Sequence, residues 1–381
     1  MIPAVSLDAY AAARERAGLV DRPDRARIVV SGADRASFLQ GLLTNDVMAL
    51  QAGQGCYAAY LTAQGRMIAD LYVYEIGDVM LVTLHRDVKD AVMAKLDQVI
   101  FSEDVQLGDV TDTFAQVAVV GPQAASIVGT VLGIDIDRLG AMPEHGNIRT
   151  SWPASPSLDA ARDGGERVER PKLPGVYSRE GGLATPKLVG DSAGEGGTGT
   201  QAIVTRTGDT GEPGFDLYVE RARGDELKRV LMAAGAIEVD AGTADAIRIE
   251  SGVPLFHRDM DEDTIPLEAG IESRAISFSK GCYVGQEVII RVLHRGHGRV
   301  ARKLVGLRLD RAAAPPAGAR IRAGDREIGE VTSSTRSPAL QAPIALGYVH
   351  RDFVEPGTKV TVDGAAAEVV TLPFVVGTRQ P

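Results

Sequence analysis

Two β-rich runs separated only by Gly77-Asp78 set the tightest limit on what this chain can become. Leu71 to Ile76 and Val79 to Leu84 are dense in β-branched, aromatic and large apolar residues, and Gly-Asp is a two-residue link suited to an antiparallel hairpin. A hairpin here argues against a purely parallel sheet. Around it, strand and helix signals alternate. Arg27 to Ser31 reads as a strand broken by Gly32, after which Phe38, Leu39, Leu42 and Leu43 supply a helical apolar face. Val88, Ala91, Val92, Leu96 and Val99 give a second helix, and Gln116 to Val120 a strand that passes through Gly121-Pro122 into a third. The pattern predicts an α+β fold.

The segment from Pro143 to Thr200 reads differently. It is rich in Gly, Pro, Ser, Ala and charge, holds the only tryptophan, Trp152, and shows no sustained period. Its composition favours a flexible insertion over a lid. Beyond it, Phe215 to Glu220 reads as a strand and Asp225 to Ala234 as a helix. From Leu304 onward, short strands alternate with tight turns at Gly324-Asp325 and Asp363-Gly364, which predicts a small C-terminal β-barrel. The organisation is therefore residues 1–142 and 201–300 as two parts of an α+β body, 143–200 as an insertion, and 301–381 as a barrel.

The 381 residues suffice for two or three domains, each with its own core. A net charge of −10 argues against a nucleic-acid backbone as partner, although a local basic run lies between Arg291 and Lys303. No stretch approaches the roughly 20 apolar residues that span a bilayer, and the N-terminal residues lack the pattern of a secretory signal. Only Cys56 and Cys282 are present, so there is no disulfide framework and no set of four thiolates for an iron–sulfur cluster. A cytoplasmic protein is expected, with neither membrane nor nucleic acid as partner.

Two segments concentrate chemistry. Arg206-Thr-Gly-Asp-Thr-Gly-Glu-Pro-Gly-Phe-Asp216 places Gly208, Gly211 and Gly214 just before a strand, which suits either a bare glycine-rich hairpin or close approach to a ligand. It lacks the ending of a phosphate loop. Lys280-Gly-Cys-Tyr-Val-Gly-Gln-Glu287 precedes Val288, Ile289, Val292 and Leu293 at helical spacing. That spacing puts Cys282 at or just before a helix N-terminus, where the dipole and Lys280 would lower its pKa; the competing reading is a small buried turn residue. His294 and His297, split by a glycine among basic neighbours, fit a solvated loop better than a metal pair, and Asp259, Asp261, Glu262 and Asp263 lack calcium-loop spacing. No metal site is expected.

Taken in order, the glycine-rich motif, Arg248-Ile-Glu-Ser-Gly-Val-Pro254, and Asp259-Met-Asp-Glu-Asp-Thr-Ile-Pro266 with Glu268 resemble the aminomethyltransferase superfamily of glycine-cleavage T-proteins. Leu43-Thr-Asn-Asp46 and Gly65-Arg-Met-Ile-Ala-Asp-Leu71 add to it. The eight residues Lys280, Gly281, Cys282, Tyr283, Val284, Gly285, Gln286 and Glu287 resemble the signature of the YgfZ-type folate-binding branch. The resemblance implies a T-protein-like fold around a central pocket for tetrahydrofolate or a derivative, closed off by the C-terminal barrel. It implies Asp70 as the catalytic carboxylate, Tyr57 as a pocket tyrosine and Asp216 as the acceptor for the pterin's paired donors. Glu212 and Arg248 fall in the family's motifs and are counted with the folate-binding residues.

Three positions depart from the transferases. The pocket asparagine falls on Thr83, an arginine expected to hold folate falls on Ala244, and the tyrosine of the glycine-rich motif is Asp209. Lost positive and added negative charge should weaken the grip on folate's carboxylate tail. The resemblance therefore implies retained but altered folate binding and a YgfZ-like role in making or repairing iron–sulfur proteins, with Cys282 as the working residue. The partners so implied are iron–sulfur assembly proteins or their client enzymes. The alternative is one-carbon transfer of the aminomethyl kind, which has no use for a thiol.

Overall fold

The computed structural model describes residues 5–152, 200–294 and 299–377. Its first sheet is built around the expected hairpin. Strands β4 (Met67–Glu75) and β5 (Met80–His85) are joined by a turn in which the Ile76 N–H donates to the Val79 carbonyl at 3.1 Å, and Gly77 sits at φ +109°. That angle is open to glycine and closed to most side chains. With β2 (Arg25–Ser31), β3 (Gly55–Leu61) and β6 (Gln106–Asp109) they form an antiparallel sheet in the order β3-β4-β5-β2-β6.

Register decides which side chains share a face. Tyr57, Tyr72, Thr83 and Arg27 lie opposite one another across four strands. Asp70, Tyr74 and Arg25, each two residues along, extend that polar face. On the other face Leu71, Val73, Val82 and Leu84 share one apolar core with Phe38 and Leu39 of α2 (Arg35–Leu42) and Val92 and Leu96 of α3 (Lys89–Asp97).

The second sheet has six strands in the order β11-β1-β7-β10-β9-β8. Its members are β1 (Gly18–Asp21), β7 (Phe114–Val120), β8 (Asn147–Trp152), β9 (Thr200–Thr207), β10 (Gly214–Glu220) and β11 (Ile237–Val239). Among the described strands of this sheet, β1 and β11 are the parallel pair. Ala118, Asp216, Thr205 and Asn147 form one row, with Gln116, Tyr218 and Ile203 beside it. Val117, Val119, Leu217 and Val204 point the opposite way and pack with α4 (Ala124–Leu132) and α6 (Gly224–Ala233). The polar faces of the two sheets meet: Arg27 Nη1 donates to Gln116 Oε1 at 2.9 Å, and Ile203 and Tyr218 join the first sheet's core.

The segment 143–200 needs a correction at both ends. Asn147–Trp152 is an edge strand, and Trp152 pairs with Thr200 in an antiparallel ladder. Ile148 and Trp152 are buried there, so the tryptophan belongs to the core and not to the insertion. The reading of residues 153–199 as an insertion lies outside the described residues. The six-stranded sheet draws strands from both sides of this segment.

Helices α1 (Leu7–Glu15), α5 (Ile136–Gly140), α7 (Ala241–Glu250), α8 (Pro266–Ala269), α9 (Glu272–Ala275) and α10 (Gln286–His294) complete the body. The C-terminal part is a closed barrel, in the order β12 (Arg302–Leu309), β15 (Ala342–His350), β14 (Arg326–Ser337), β13 (Arg320–Ala323), β16 (Lys359–Val362) and β17 (Ala365–Val370). Asp363 and Gly364, at φ +47° and +82°, make the two-residue turn with two positive angles that matches strand twist. No helix among the described residues is long and apolar enough to cross a membrane.

Candidate functional site

Where the two polar sheet faces meet, ionisable and aromatic side chains gather in one buried cluster, here called the cup. On the first sheet, the Tyr57 hydroxyl donates to Asp70 Oδ2 at 2.8 Å, and both residues are buried. Burial, reinforced by the Asp70 charge, holds the Tyr57 phenol well above its ordinary value, so it remains a donor at any physiological pH. Tyr72 packs on Tyr57 with ring centroids 5.0 Å apart, and the Arg274 guanidinium lies over the Tyr57 ring at 4.8 Å. Asp70 thus has a fixed neighbour on one oxygen and a cation nearby, an arrangement suited to orienting a polar ligand and stabilising positive charge that develops on it.

Across the cup, Asp216 is buried on β10, and its Oδ1 meets no hydrogen-bond partner among the described residues. Arg22 Nε, 3.9 Å away, is likewise without one. An unmet buried carboxylate oxygen costs roughly 1–3 kcal/mol or more until something donates to it. Burial raises the Asp216 carboxyl to about 6, with Arg22 pulling it down and Asp209 pushing it up. Asp209 itself is ion-paired to both Arg22 and Arg25, the latter at 2.7 Å. Burial would raise its carboxyl, but the two arginines prevail and hold it well below the usual carboxylate range.

This corrects the expectation for Asp209. Its charge is neutralised inside the protein by Arg22 and Arg25, beside Asp216, and is not presented to the tail of a ligand. Arg25 also lies over the Tyr72 ring at 5.6 Å, so one chain of contacts runs from Asp216 through Arg22, Asp209, Arg25 and Tyr72 to Tyr57 and Asp70. Thr83 sits in the same row as Tyr57 and Tyr72 and is buried. His145, which the sequence reading passed over, enters the cup with its ring centroid 5.2 Å from that of Tyr72. It lay inside the segment read as an insertion, and a lone histidine in a turn gives no periodic signal.

Residues 4–144 and 195–280 match the GCVT N-terminal domain, and residues 302–375 match the glycine cleavage T-protein C-terminal barrel domain. The chain belongs to the glycine-cleavage T-protein family. Among its relatives, the aminomethyltransferase of Rubrobacter xylanophilus is 30% identical over 96% of this chain and 85% of its own length. That of Streptomyces coelicolor is 29% identical over 96% of this chain and 88% of its own. The crystal structure of glycine cleavage system aminomethyltransferase T from Bartonella henselae superposes with a TM-score of 0.75 at 23% identity, covering 97% of this chain and 90% of that one. The α+β body and closed barrel are thus those of the T-protein fold.

Several family motif residues of this T-protein relative lie outside the cup. Glu212 is fully buried against Arg14, whose other nitrogen bonds Glu250, so it ties the glycine-rich loop to α1 and α7. Arg248 is held by Asp259 at 2.7 Å, Asp245 at 2.8 Å, Ser333 at 2.9 Å and the Val253 carbonyl at 2.7 Å, which locks α7 to the barrel. Asp259 is therefore a buried anchor and not a plain turn carboxylate. Ala244 packs against the apolar group of Ala9, Ala13, Val20 and Ile247.

The setting of Cys282 also differs from expectation. Helix α10 begins at Gln286, so the thiol lies a turn short of the helix end, in an exposed loop. Lys280 turns away from it and donates to the carbonyls of Gln40, Leu43 and Asn45 at 2.6, 2.6 and 2.9 Å. Lys280 thereby anchors the loop to α2. Gly285, at φ +85°, would clash with the Thr62 carbonyl if it carried a Cβ, so the loop is also pressed onto β3. Tyr283 is buried, Gln286 is half-buried, and Gly281 and Glu287 are exposed. Of the two histidines in this region, His297 lies outside the described residues and His294 ends α10.

Proposed function

We propose that this chain binds a reduced folate in the cup between the sheets and acts as a YgfZ-type accessory to iron–sulfur proteins. The observation that carries the folate reading is the unmet Asp216 Oδ1 with its neighbouring Arg22 Nε. A pterin offers a ring N–H beside an amino group, two parallel donors that one carboxylate accepts together. Tyr57 and Asp70 would then face the part of the ligand that carries the one-carbon unit. Tetrahydrofolate, when bound, supplies a nucleophilic ring nitrogen for such a unit. Arg274, which also lines a cleft with Lys303 between α9 and the barrel, supplies the cation for the ligand's carboxylates that Ala244 does not.

The accessory role rests on the eight-residue loop around Cys282. Lys280 and Gly285 fix its backbone while the thiol stays exposed, away from the cup. A second reading, transfer of an aminomethyl group to tetrahydrofolate, draws support from the names of the relatives and from the Tyr57–Asp70 pair. One experiment separates them. A strain lacking the gene is assayed for several iron–sulfur enzymes and rescued with wild-type or Cys282→Ala copies, while the purified protein replaces the aminomethyltransferase in a reconstituted glycine-cleavage assay. The accessory reading expects rescue by wild type only, with no glycine cleavage. Full rescue by Cys282→Ala removes the thiol from the account, and robust turnover establishes the transferase reading.

A further inference from the structure

His145 occupies a position that suits glycine. Pro143 to Gly146 form a tight turn in which the Gly146 N–H donates to the Pro143 carbonyl at 2.9 Å, and His145, its third residue, has φ +59°. Glycine or asparagine is ordinary there, whereas a bulky ring costs about 1–3 kcal/mol. The turn is pinned in place by Asn147. Its backbone N–H donates to the Gly53 carbonyl at 2.8 Å, and its side chain to those of Gln54 and Glu75 at 2.9 and 3.2 Å. These contacts hold the turn firmly enough to keep His145 in the left-handed region.

The ring's surroundings point to a ligand. The imidazole packs on Tyr72, inside the cup, and its Nδ1 is buried with no hydrogen-bond partner among the described residues. Its Nε2 lies 3.7 Å from the exposed Glu144 carboxylate. The charge of that carboxylate favours the proton on Nε2, which would leave a lone pair on the buried Nδ1. Burial and the Arg274 charge keep the imidazole below its ordinary pKa, against the opposite pull of Glu144 and Asp209, so it is neutral near pH 7.

We propose that His145 contacts the ligand and selects reduced over oxidised folates, its Nδ1 accepting an N–H that only the reduced ring possesses. The inference rests on the folate reading above. In an oxidised pterin, N5 and N8 carry lone pairs, which would face the imidazole lone pair unfavourably. In tetrahydropterin both carry hydrogens. Asp216 meets the amino edge, which is the same in both oxidation states, and so cannot discriminate.

The test is anaerobic calorimetry of tetrahydrofolate and of folic acid with the wild-type protein, His145→Gly and His145→Asn. Both substitutions suit the left-handed turn, so both should fold, with melting temperatures equal to or above wild type. The wild type should prefer tetrahydrofolate, and both variants should lose that preference by about tenfold, mainly through weaker tetrahydrofolate binding. Nitrogen NMR should show the His145 Nδ1 signal shifting with tetrahydrofolate and not with folic acid. An unchanged preference in both variants, or no preference in the wild type, overturns the role of His145 while leaving folate binding standing. A wild type that binds neither folate overturns the folate reading and this inference together.

Discussion

Asp209 and Asp216 belong to one buried cluster, yet their carboxyls are shifted in opposite directions, Asp209 downward by its two arginines and Asp216 upward by burial. Asp209 holds two arginines and stays ionised, while Asp216 is left one unmet oxygen and a carboxyl raised to about 6. Removing Asp209 would strand Arg22 and Arg25 as buried, unpaired charges. Asp209→Ala is therefore expected to lower unfolding free energy by roughly 3–5 kcal/mol in urea denaturation, far more than an exposed ion pair would cost. A loss below about 1 kcal/mol would show that the arginines find other partners. The cysteines give a second residue-scale prediction. Burial pushes the Cys56 thiol up to about 12, whereas Cys282 is exposed, so iodoacetamide near neutral pH should label Cys282 many times faster. Equal labelling would contradict the placement of both. Motif reading expected Asp70, Tyr57 and Asp216 in one pocket; Tyr57 and Asp70 share a hydrogen bond on the first sheet, and Asp216 lies buried on the second. The motifs could not show that Lys280 would point at carbonyls, or that Asp209 would be neutralised, because both depend on residues far away in sequence.

At the scale of elements, hairpin chemistry was the most legible part. Gly77, Gly324 and Asp363-Gly364 each mark a turn from local backbone demands alone, and each turn forms where its residues sit. Strand Asn147–Trp152 was not legible, because it is an edge strand with mixed exposure that precedes a glycine- and proline-rich stretch. Its pairing yields a prediction. Trp152 and Thr200 are direct partners across β8 and β9, so their Cα atoms lie within one strand spacing. Replacing residues 153–199 with Asn-Gly should close a short hairpin and leave the melting temperature within a few degrees, since loop length changes closure entropy only weakly. Insoluble protein, or a fall of more than about 10 °C, would show that the excised residues contribute to the core.

At the scale of the whole molecule, the two sheets bury polar faces against each other, and the barrel is locked on through Arg248. The cup is costly in that Asp216, Arg22 and His145 each bring a buried polar atom without a hydrogen-bond partner among the described residues. A fold that keeps such groups together is poised to gain stability when a ligand meets them. Protonation of Asp216 gives the sign of a pH effect. Its folded value lies above that of a free aspartate, so the native state holds an extra proton between roughly pH 4 and 6, and stability without ligand falls as pH rises through that window. Ligand affinity should move the other way, strengthening as pH rises through about 6, because the paired donors require the ionised carboxylate. The measurement that bears most directly on the account is calorimetric titration of tetrahydrofolate into the wild-type protein and Asp216→Ala at pH 5 and pH 7.5. The account predicts saturable wild-type binding that is stronger at pH 7.5, and a variant weakened at least tenfold with its pH dependence flattened. Saturable binding of equal strength in the variant, or no binding of any reduced folate by the wild type, would contradict it.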